Sequence, residues 1–275
     1  MIRILDSLDP YWDFINEVNA DPAYSEPMIG TPENMECNLI KAPGRPEDRV
    51  LGVFENGEMT GLFVFSEETE ISYMEMLVGL SRSVAAYAEI ADYLAKNYPG
   101  WQVDFVFNPA NDKLLALVQK LGAEIDTEQQ RMVFEGDISG DTEGVEPLSD
   151  KYKQQYFALH AKDCYWTGER VAEAADRFRA LLAVDNGAVV GYIDFTHAWD
   201  ENEIFDLLVD EAHRGKGWGR KLVLRALEMN RPKSMMLMVT VDNVPALALY
   251  DSVGFKKVPG LNSRYAAWKV PPKAD

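Results

Sequence analysis

Arg214-Gly215-Lys216-Gly217-Trp218-Gly219 follows an apolar, strand-like run at residues 204–209 and leads into residues 221–229, where Leu222, Val223, Ala226 and Leu227 mark one helical face. The order is strand, glycine loop, helix. A helix that begins in a glycine-rich turn offers unpaired backbone N–H groups and the positive end of its dipole, and the missing side chains let an anion come close. The stretch therefore reads as a diphosphate cradle. No Gly-Lys-Ser/Thr follows and the glycines do not keep a Gly-x-Gly-x-x-Gly spacing, which sets aside two better-known phosphate loops. A plain turn before a helix is the alternative, and the residues downstream decide between them.

Around this loop lie 275 residues, 47% hydrophobic and 26% charged, enough for two ordinary domains with full cores. The 45 acidic residues against 27 basic ones give a net charge of −18, which disfavours nucleic acid and anionic membranes as partners. Only Arg214, Lys216, Arg220, Lys221 and Arg225 form a dense basic cluster, and an anionic ligand belongs there. Cys37 and Cys164 have no metal-ligand spacing, so no metal and no disulfide framework is expected. An acidic residue interrupts the N-terminal stretch where a signal peptide needs an apolar core, and no run reaches the ~18 apolar residues of a membrane span. The expectation is a cytoplasmic protein.

Pattern reading predicts a short helix at 11–18, loops with one helical turn at 22–48, and strands at 49–54, 59–65 and 71–78. A helix at 83–97, a strand at 103–107, a helix at 111–121 and a strand at 132–134 follow. The acidic stretch 137–147 reads as a linker. Beyond it the pattern gives helices at 151–164 and 170–178, strands at 179–184 and 189–196, the opening strand, loop and helix, then a strand at 235–241, a helix at 245–252 and a strand at 264–270. The two halves repeat. Asn56-Gly57 with Gly61 matches Asn186-Gly187 with Gly191, Leu77-Val78 matches Leu208-Val209, and Asn111 with Gly122 matches Asn243 with Gly254. Where the second half has its glycine loop, the first reads Gly79-Leu80-Ser81-Arg82-Ser83. The expected division is 1–136, a linker at 137–147, and 148–275.

The second half resembles the GNAT superfamily of N-acyltransferases through the strand at 204–209, Arg214-x-x-Gly217-x-Gly219, and Asn243-x-x-Ala246-x-x-Leu249-Tyr250-x-x-x-Gly254-Phe255. The resemblance implies an α/β (α+β) fold with two tandem domains, each a mixed, mostly antiparallel sheet flanked by helices, the first copy degenerate. It implies acetyl-CoA as cosubstrate. Its diphosphate would lie on the amides of Arg214, Gly215, Lys216, Gly217, Trp218 and Gly219, with Asn243 nearby. The backbone of Leu208 and Val209 would pair with the pantetheine arm. Tyr250 takes the family's position for the acid that protonates the departing thiolate, and its counterpart in the first half is Val118.

The residues alone offer Asp194, His197, Glu203 and Asp206 as bases for the incoming ammonium. A hairpin symmetric about Asp200 sets Asp194 opposite Asp206, where two carboxylates would raise one another's proton affinity, and these two are the choice. Asn243 also reads as a helix N-cap. Cys164 and Trp166 fall where the family binds acceptors, although ordinary packing explains them too. Together these imply acyl transfer to a primary amine, on a small molecule or a protein, by direct attack, with cationic acceptors favoured by the acidic composition. The protein would be a monomer or homodimer. The alternatives are a non-catalytic acyl-CoA-binding module and an acetyltransferase like mycothiol synthase, another tandem member.

Overall fold

The computed structural model describes residues 1–162 and 166–273, so Cys164 lies outside the described residues. Its chain forms β1 (Ile2–Ile4), α1 (Trp12–Asn19), α2 (Pro32–Met35), β2 (Asp48–Glu55), β3 (Glu58–Glu68), β4 (Tyr73–Ser81), α3 (Val84–Asn97), β5 (Gln102–Phe107), α4 (Asp112–Lys120) and β6 (Glu124–Ile125). Then come β7 (Gln129–Phe134), β8 (Val145–Pro147), α5 (Lys153–Leu159), α6 (Gly168–Glu173), β9 (Phe178–Asp185), β10 (Ala188–Thr196) and β11 (Glu201–Val209). The remainder is α7 (Trp218–Asn230), β12 (Ser234–Thr240), α8 (Val244–Val253), β13 (Phe255–Lys257) and β14 (Arg264–Lys269). Among the described residues no helix is long and apolar enough to cross a membrane.

These elements build two compact units. One comprises Met1–Gln129 with Pro259–Asp275, the other Gln130–Val258. The first sheet has the order β1-β2-β3-β4-β5-β14-β6 and the second β8-β9-β10-β11-β12-β7-β13, the same plan twice. In both, one neighbouring pair runs parallel, β4 with β5 and β11 with β12, among antiparallel hairpins. The Asn-Gly turns predicted from sequence are present: Asn56 and Gly57 have φ of 52° and 91°, Asn186 and Gly187 of 49° and 82°, as a tight hairpin turn requires.

Strand alternation sorts each sheet into two apolar faces. In the first unit Phe63, Phe65 and Phe105 pack on Tyr87, Ile90 and Leu94 of α3, while Leu62, Val64, Val78 and Leu80 face Ile15 and Val18 of α1. In the second, Ile193, Phe195 and Leu237 pack on Leu222, Val223 and Leu227 of α7. The opposite face sets Leu182 and Tyr192 against Tyr152 and Tyr156 at α5.

Three features depart from the expected organisation. The stretch 137–147 is not linker throughout, because Val145 to Pro147 form β8 against β9. The strand that closes each repeat sits in the other repeat's sheet, β7 between β12 and β13 and β14 between β5 and β6, so the units do not follow the boundaries 1–136 and 148–275. The expected helices at 151–164 and 170–178 contract to α5 and α6, since Phe178 already pairs with Thr196 as the first residue of β9.

Register also corrects the repeat. Ser81 pairs with Gly61 as Val209 pairs with Gly191, so Ser81, not Val78, stands where Val209 stands. Aliphatic pairs recur along any buried strand and cannot set register, whereas the glycines can. By this register Val64 and Val78 occupy the places of Asp194 and Asp206.

The first unit has filled its own crevice. Beyond Met76 and Phe105 the parallel pairing of β4 and β5 ends, and the freed Gly79 amide donates to the Glu26 carboxylate at 3.0 Å. The Gly79 and Ser81 carbonyls accept from the Tyr87 hydroxyl. The Asn108 side-chain amide holds the Pro22 and Ser25 carbonyls at 2.9 and 3.2 Å. There is no glycine loop: only residues 82–83 separate β4 from α3, whose N-terminal turn is capped by Ser83. Burial raises the Glu26 pKa to about 8, outweighing the amides of Met28 and Gly79. The folded state therefore keeps a proton that the unfolded chain releases, and stability falls as pH rises from the ordinary carboxylate value toward 8. Glu26→Gln, which mimics the protonated acid, should gain several degrees in Tm over wild type between pH ~5 and ~8. A Tm difference that does not change across this range would contradict the account.

Candidate active site

In the second unit the corresponding crevice is open. β11 pairs with β12 only from Glu201 and Ser234 to Ile204 and Leu237. Phe205 bulges out of the ladder between Ile204 and Asp206, and β11 then continues to Val209 paired with β10 alone. The Asp210 amide bonds the Val190 carbonyl at 2.9 Å, which fixes the alternation: Leu208 exchanges bonds with Tyr192, and the backbone groups of Leu207 and Val209 turn toward the crevice. Val209 is thus placed as expected. Leu208 lies one step out, and Leu207 takes its place because the strand's alternation, not its composition, selects which residues face the gap.

The glycine loop stands at the end of this open edge. Gly215 and Gly217 have φ of 74° and 87°, a backbone that side chains disfavour, and open space surrounds the position of a Cβ at either. Gly217 occupies the N-cap of α7 with no side chain capping it, so the first-turn amides of Trp218, Gly219 and Arg220 point outward without intrahelical partners. Gly219 serves another purpose, since a Cβ there would meet Leu249 of α8 at 3.1 Å. Of the basic cluster, Arg220 is tied to Ser252, Lys221 to Asp141 and Arg225 to Glu228. Arg214 bonds the Val209 carbonyl through Nε, and exposed Lys216 has no ion pair among the described residues. Arg214 and Lys216 therefore remain available to an anion at the loop.

Tyr250 projects from α8, whose first turn is fixed by Asn243 accepting from the Ala246 amide at 3.2 Å. Asn243 is the N-cap foreseen from sequence. The Tyr250 ring packs on Phe255 with centroids 5.6 Å apart and is 7% exposed. Among the described residues its hydroxyl has no hydrogen-bond partner, and burial, reinforced by the charge of Asp206, raises its pKa and keeps the proton in place. Val118, its counterpart, is a fully buried core residue.

Asp194 does pair with Asp206 across β10 and β11. Their surroundings differ. Asp194 is sealed, its oxygens accepting from the Tyr156 hydroxyl at 2.9 and 2.8 Å and facing His160 Nε2 at 2.9 Å. Asp206 is part-exposed, accepts from the Tyr192 hydroxyl at 2.6 Å and lies 3.9 Å from His160 Nε2. His160 stacks on Tyr192 at 4.7 Å, and its Nδ1 donates to the Ala161 carbonyl at 3.1 Å. Burial opposes its charge, but the bond to Asp194, the Ala161 carbonyl and the two carboxylates prevail and raise its pKa. His160, Asp194 and Asp206 place ligating atoms within 4.8 Å of one another, a spacing that suits a cation.

Glu203 belongs to the same face. Its amide donates to Thr196 Oγ1 at 2.8 Å, while its carboxylate has no hydrogen-bond partner among the described residues. Burial raises its pKa to about 7 against the opposing charges of Arg131 and Arg177. His197 instead turns its Nε2 to the Ala175 carbonyl. A cavity of about 410 Å³ lies elsewhere, at the β8–β9 edge between Leu148, Val171, Ala175 and Met229, and includes none of these residues.

Comparison with known proteins fits this geometry. Residues 145–255 match the Acetyltransferase (GNAT) family. The matched residues lie within the second unit. The chain is 40% identical over 87 residues to the N-alpha-acetyltransferase RimI of Mycobacterium tuberculosis, covering 30% of this chain and 54% of that protein. A mycothiol acetyltransferase of Corynebacterium glutamicum is 32% identical over 108 residues, 36% of this chain and 37% of the relative. The chain thus spans about half or less of the length of these relatives. In fold, a tandem GNAT protein from the clavulanic acid biosynthesis pathway aligns over 100% of this chain and 99% of its own, with TM-score 0.58 and 16% identity. A GCN5-related N-acetyltransferase from Sphaerobacter thermophilus aligns over 100% and 97%, with TM-score 0.65 and 13% identity. Both span the whole chain, so the likeness in fold extends beyond residues 145–255 to the first unit.

Proposed function

We propose that the protein transfers an acyl group, acetyl in the simplest case, from coenzyme A to an amine, using the second unit. The observation that carries this reading is the crevice between β11 and β12, with the Leu207 backbone and the Val209 amide turned into it on one wall and the Tyr250 hydroxyl, unpartnered among the described residues, beside it. The cosubstrate fits what is there. Loop and α7 amides would hold the diphosphate, and the crevice-facing groups of Leu207 and Val209 would hold the amide-bearing arm as an added strand does. Coenzyme A supplies a thioester whose carbonyl an amine can attack directly, and among the described residues the site has no Cys/His or Ser/His pair that would call for a covalent enzyme intermediate.

Each side chain then has a task. Asp206, held by Tyr192, anchors the acceptor ammonium beside Tyr250. Glu203, with its pKa about 7, takes the proton that must leave before nitrogen can attack. Tyr250 gives its proton to the departing thiolate. Asp194 reaches no substrate; through Tyr156 and His160 it holds the wall behind Asp206.

The test is thiol release from acetyl-CoA across a panel of amines, beside coenzyme A binding by calorimetry. Gly217→Val, which forces a side chain into a left-handed backbone at the cradle, should weaken coenzyme A about tenfold or more. Tight binding with no turnover on any amine would favour a non-catalytic acyl-CoA-binding module instead.

A further inference from the structure

Just before β9, the Arg177 guanidinium lies over three aromatic rings: Trp166 at 5.1 Å, Trp199 at 5.2 Å and Phe178 at 5.6 Å. Trp166 packs on Phe178 at 4.7 Å, and Phe178 meets Phe205, the exposed bulge residue of β11, edge-on at 5.7 Å. This cage sits on the face that carries Glu203 and Asp206, and the charge of Arg177 is felt at Glu203. Rings hold a guanidinium by its faces and leave its N–H edges free, the geometry that matches a carboxylate with two parallel bonds. Among the described residues nothing accepts from those edges. Neighbouring arginines are spoken for: Arg131 by Glu201, Arg179 by the Met229 carbonyl, Arg220 by Ser252 and Arg225 by Glu228. In a chain with 45 acidic residues and 27 basic ones, an arginine fixed in place without an acidic partner is a vacancy for an anion from outside.

We propose that Arg177, held by Trp166, Phe178 and Trp199 beside Glu203, is the subsite for a carboxylate on the acceptor, so that the acceptor is an amino acid or a similar amine carrying both charges. This rests on the acyltransfer reading. The overall charge of −18 draws cations from a distance, but Arg177 sets a positive charge beside Glu203, where the acceptor must dock. A polyamine would meet an uncompensated cation there. An amino acid would satisfy Arg177 with its carboxylate and Asp206 or Glu203 with its ammonium, and this double demand gives selectivity.

Matched pairs that differ only in the carboxylate test it: L-lysine against cadaverine, L-phenylalanine against phenethylamine, and L-leucine against isoamylamine. Thiol release from acetyl-CoA is followed with wild type, Arg177→Met and Arg177→Lys, and binding of the same compounds in the presence of coenzyme A is followed by calorimetry. Wild type should prefer the carboxylated member of at least one pair. Arg177→Met should raise its KM or Kd about tenfold or more, with coenzyme A affinity little changed, and Arg177→Lys should restore part of the loss. The carboxylate-free partner should lose no binding in either variant, whatever the altered field at Glu203 does to the rate with both members. Equal use of both members, equal loss on both in Arg177→Met, or no binding of any carboxylated amine would overturn the subsite. Absent thiol release with carboxylate-selective, Arg177-dependent binding would instead overturn the acyltransfer reading and leave the subsite standing.

Discussion

Tyr250→Phe is expected to lower kcat for thiol release at least about a hundredfold, with coenzyme A affinity within twofold of wild type, roughly the range general acids contribute. The substitution removes one oxygen and keeps the ring that packs on Phe255. Among the described residues the lost atom bonds to nothing, so its loss leaves no partner there unsatisfied and stability should scarcely change. A structural tyrosine behaves otherwise: Tyr156→Phe, which removes the hydroxyl that both oxygens of buried Asp194 share, should lower Tm. If Tyr250→Phe keeps kcat within a few fold, the thiolate leaves without it and the assignment fails.

Glu203→Gln is expected to lower kcat/KM about a hundredfold and, more tellingly, to abolish its acid limb. A base works only when ionised. With the Glu203 pKa about 7, wild-type kcat/KM should climb as pH rises to that value and level above it. The ammonium of the acceptor adds a second limb at higher pH, and this one should persist in the variant because it belongs to the substrate. An acid limb that survives in Glu203→Gln would transfer the proton-accepting role to Asp206 and the His160 behind it.

How far these sites could be read beforehand depends on how local the information is. The glycine loop, the Asn243 cap and Tyr250 lie within single segments, where backbone need and side-chain chemistry are written together. The pairing of Asp194 with Asp206 was reached from sequence for the wrong reason: at the turn Phe195 pairs with Ile204, and the Phe205 bulge, which the pattern does not announce, shifts the register onto Asp206. His160 and Arg177 were not legible: one comes from the end of α5 and the other from the lead into β9, and they reach the site by packing on Tyr192, Trp166 and Trp199. Glu203 was visible as a candidate, but only burial without a hydrogen-bond partner distinguishes it from a solvated strand residue. The placement of β7 and β14 was illegible for a different reason. Each alternates like any closing strand of its repeat, and nothing in that alternation says which of two similar sheets it will complete.

That placement has a consequence for heredity. β14, which follows the second repeat, is an interior strand of the first sheet, and β7, which follows the first repeat, is an interior strand of the second. A stop codon after α8 would damage the first copy, and a start codon after β7 would damage the copy that carries the candidate site. Neither half can be shed by a single cut in the gene without opening the sheet of the other. A copy that has lost its carboxylates, its glycine loop and its tyrosine can thus be retained indefinitely by linkage, free to drift toward filling its crevice as Glu26 has done.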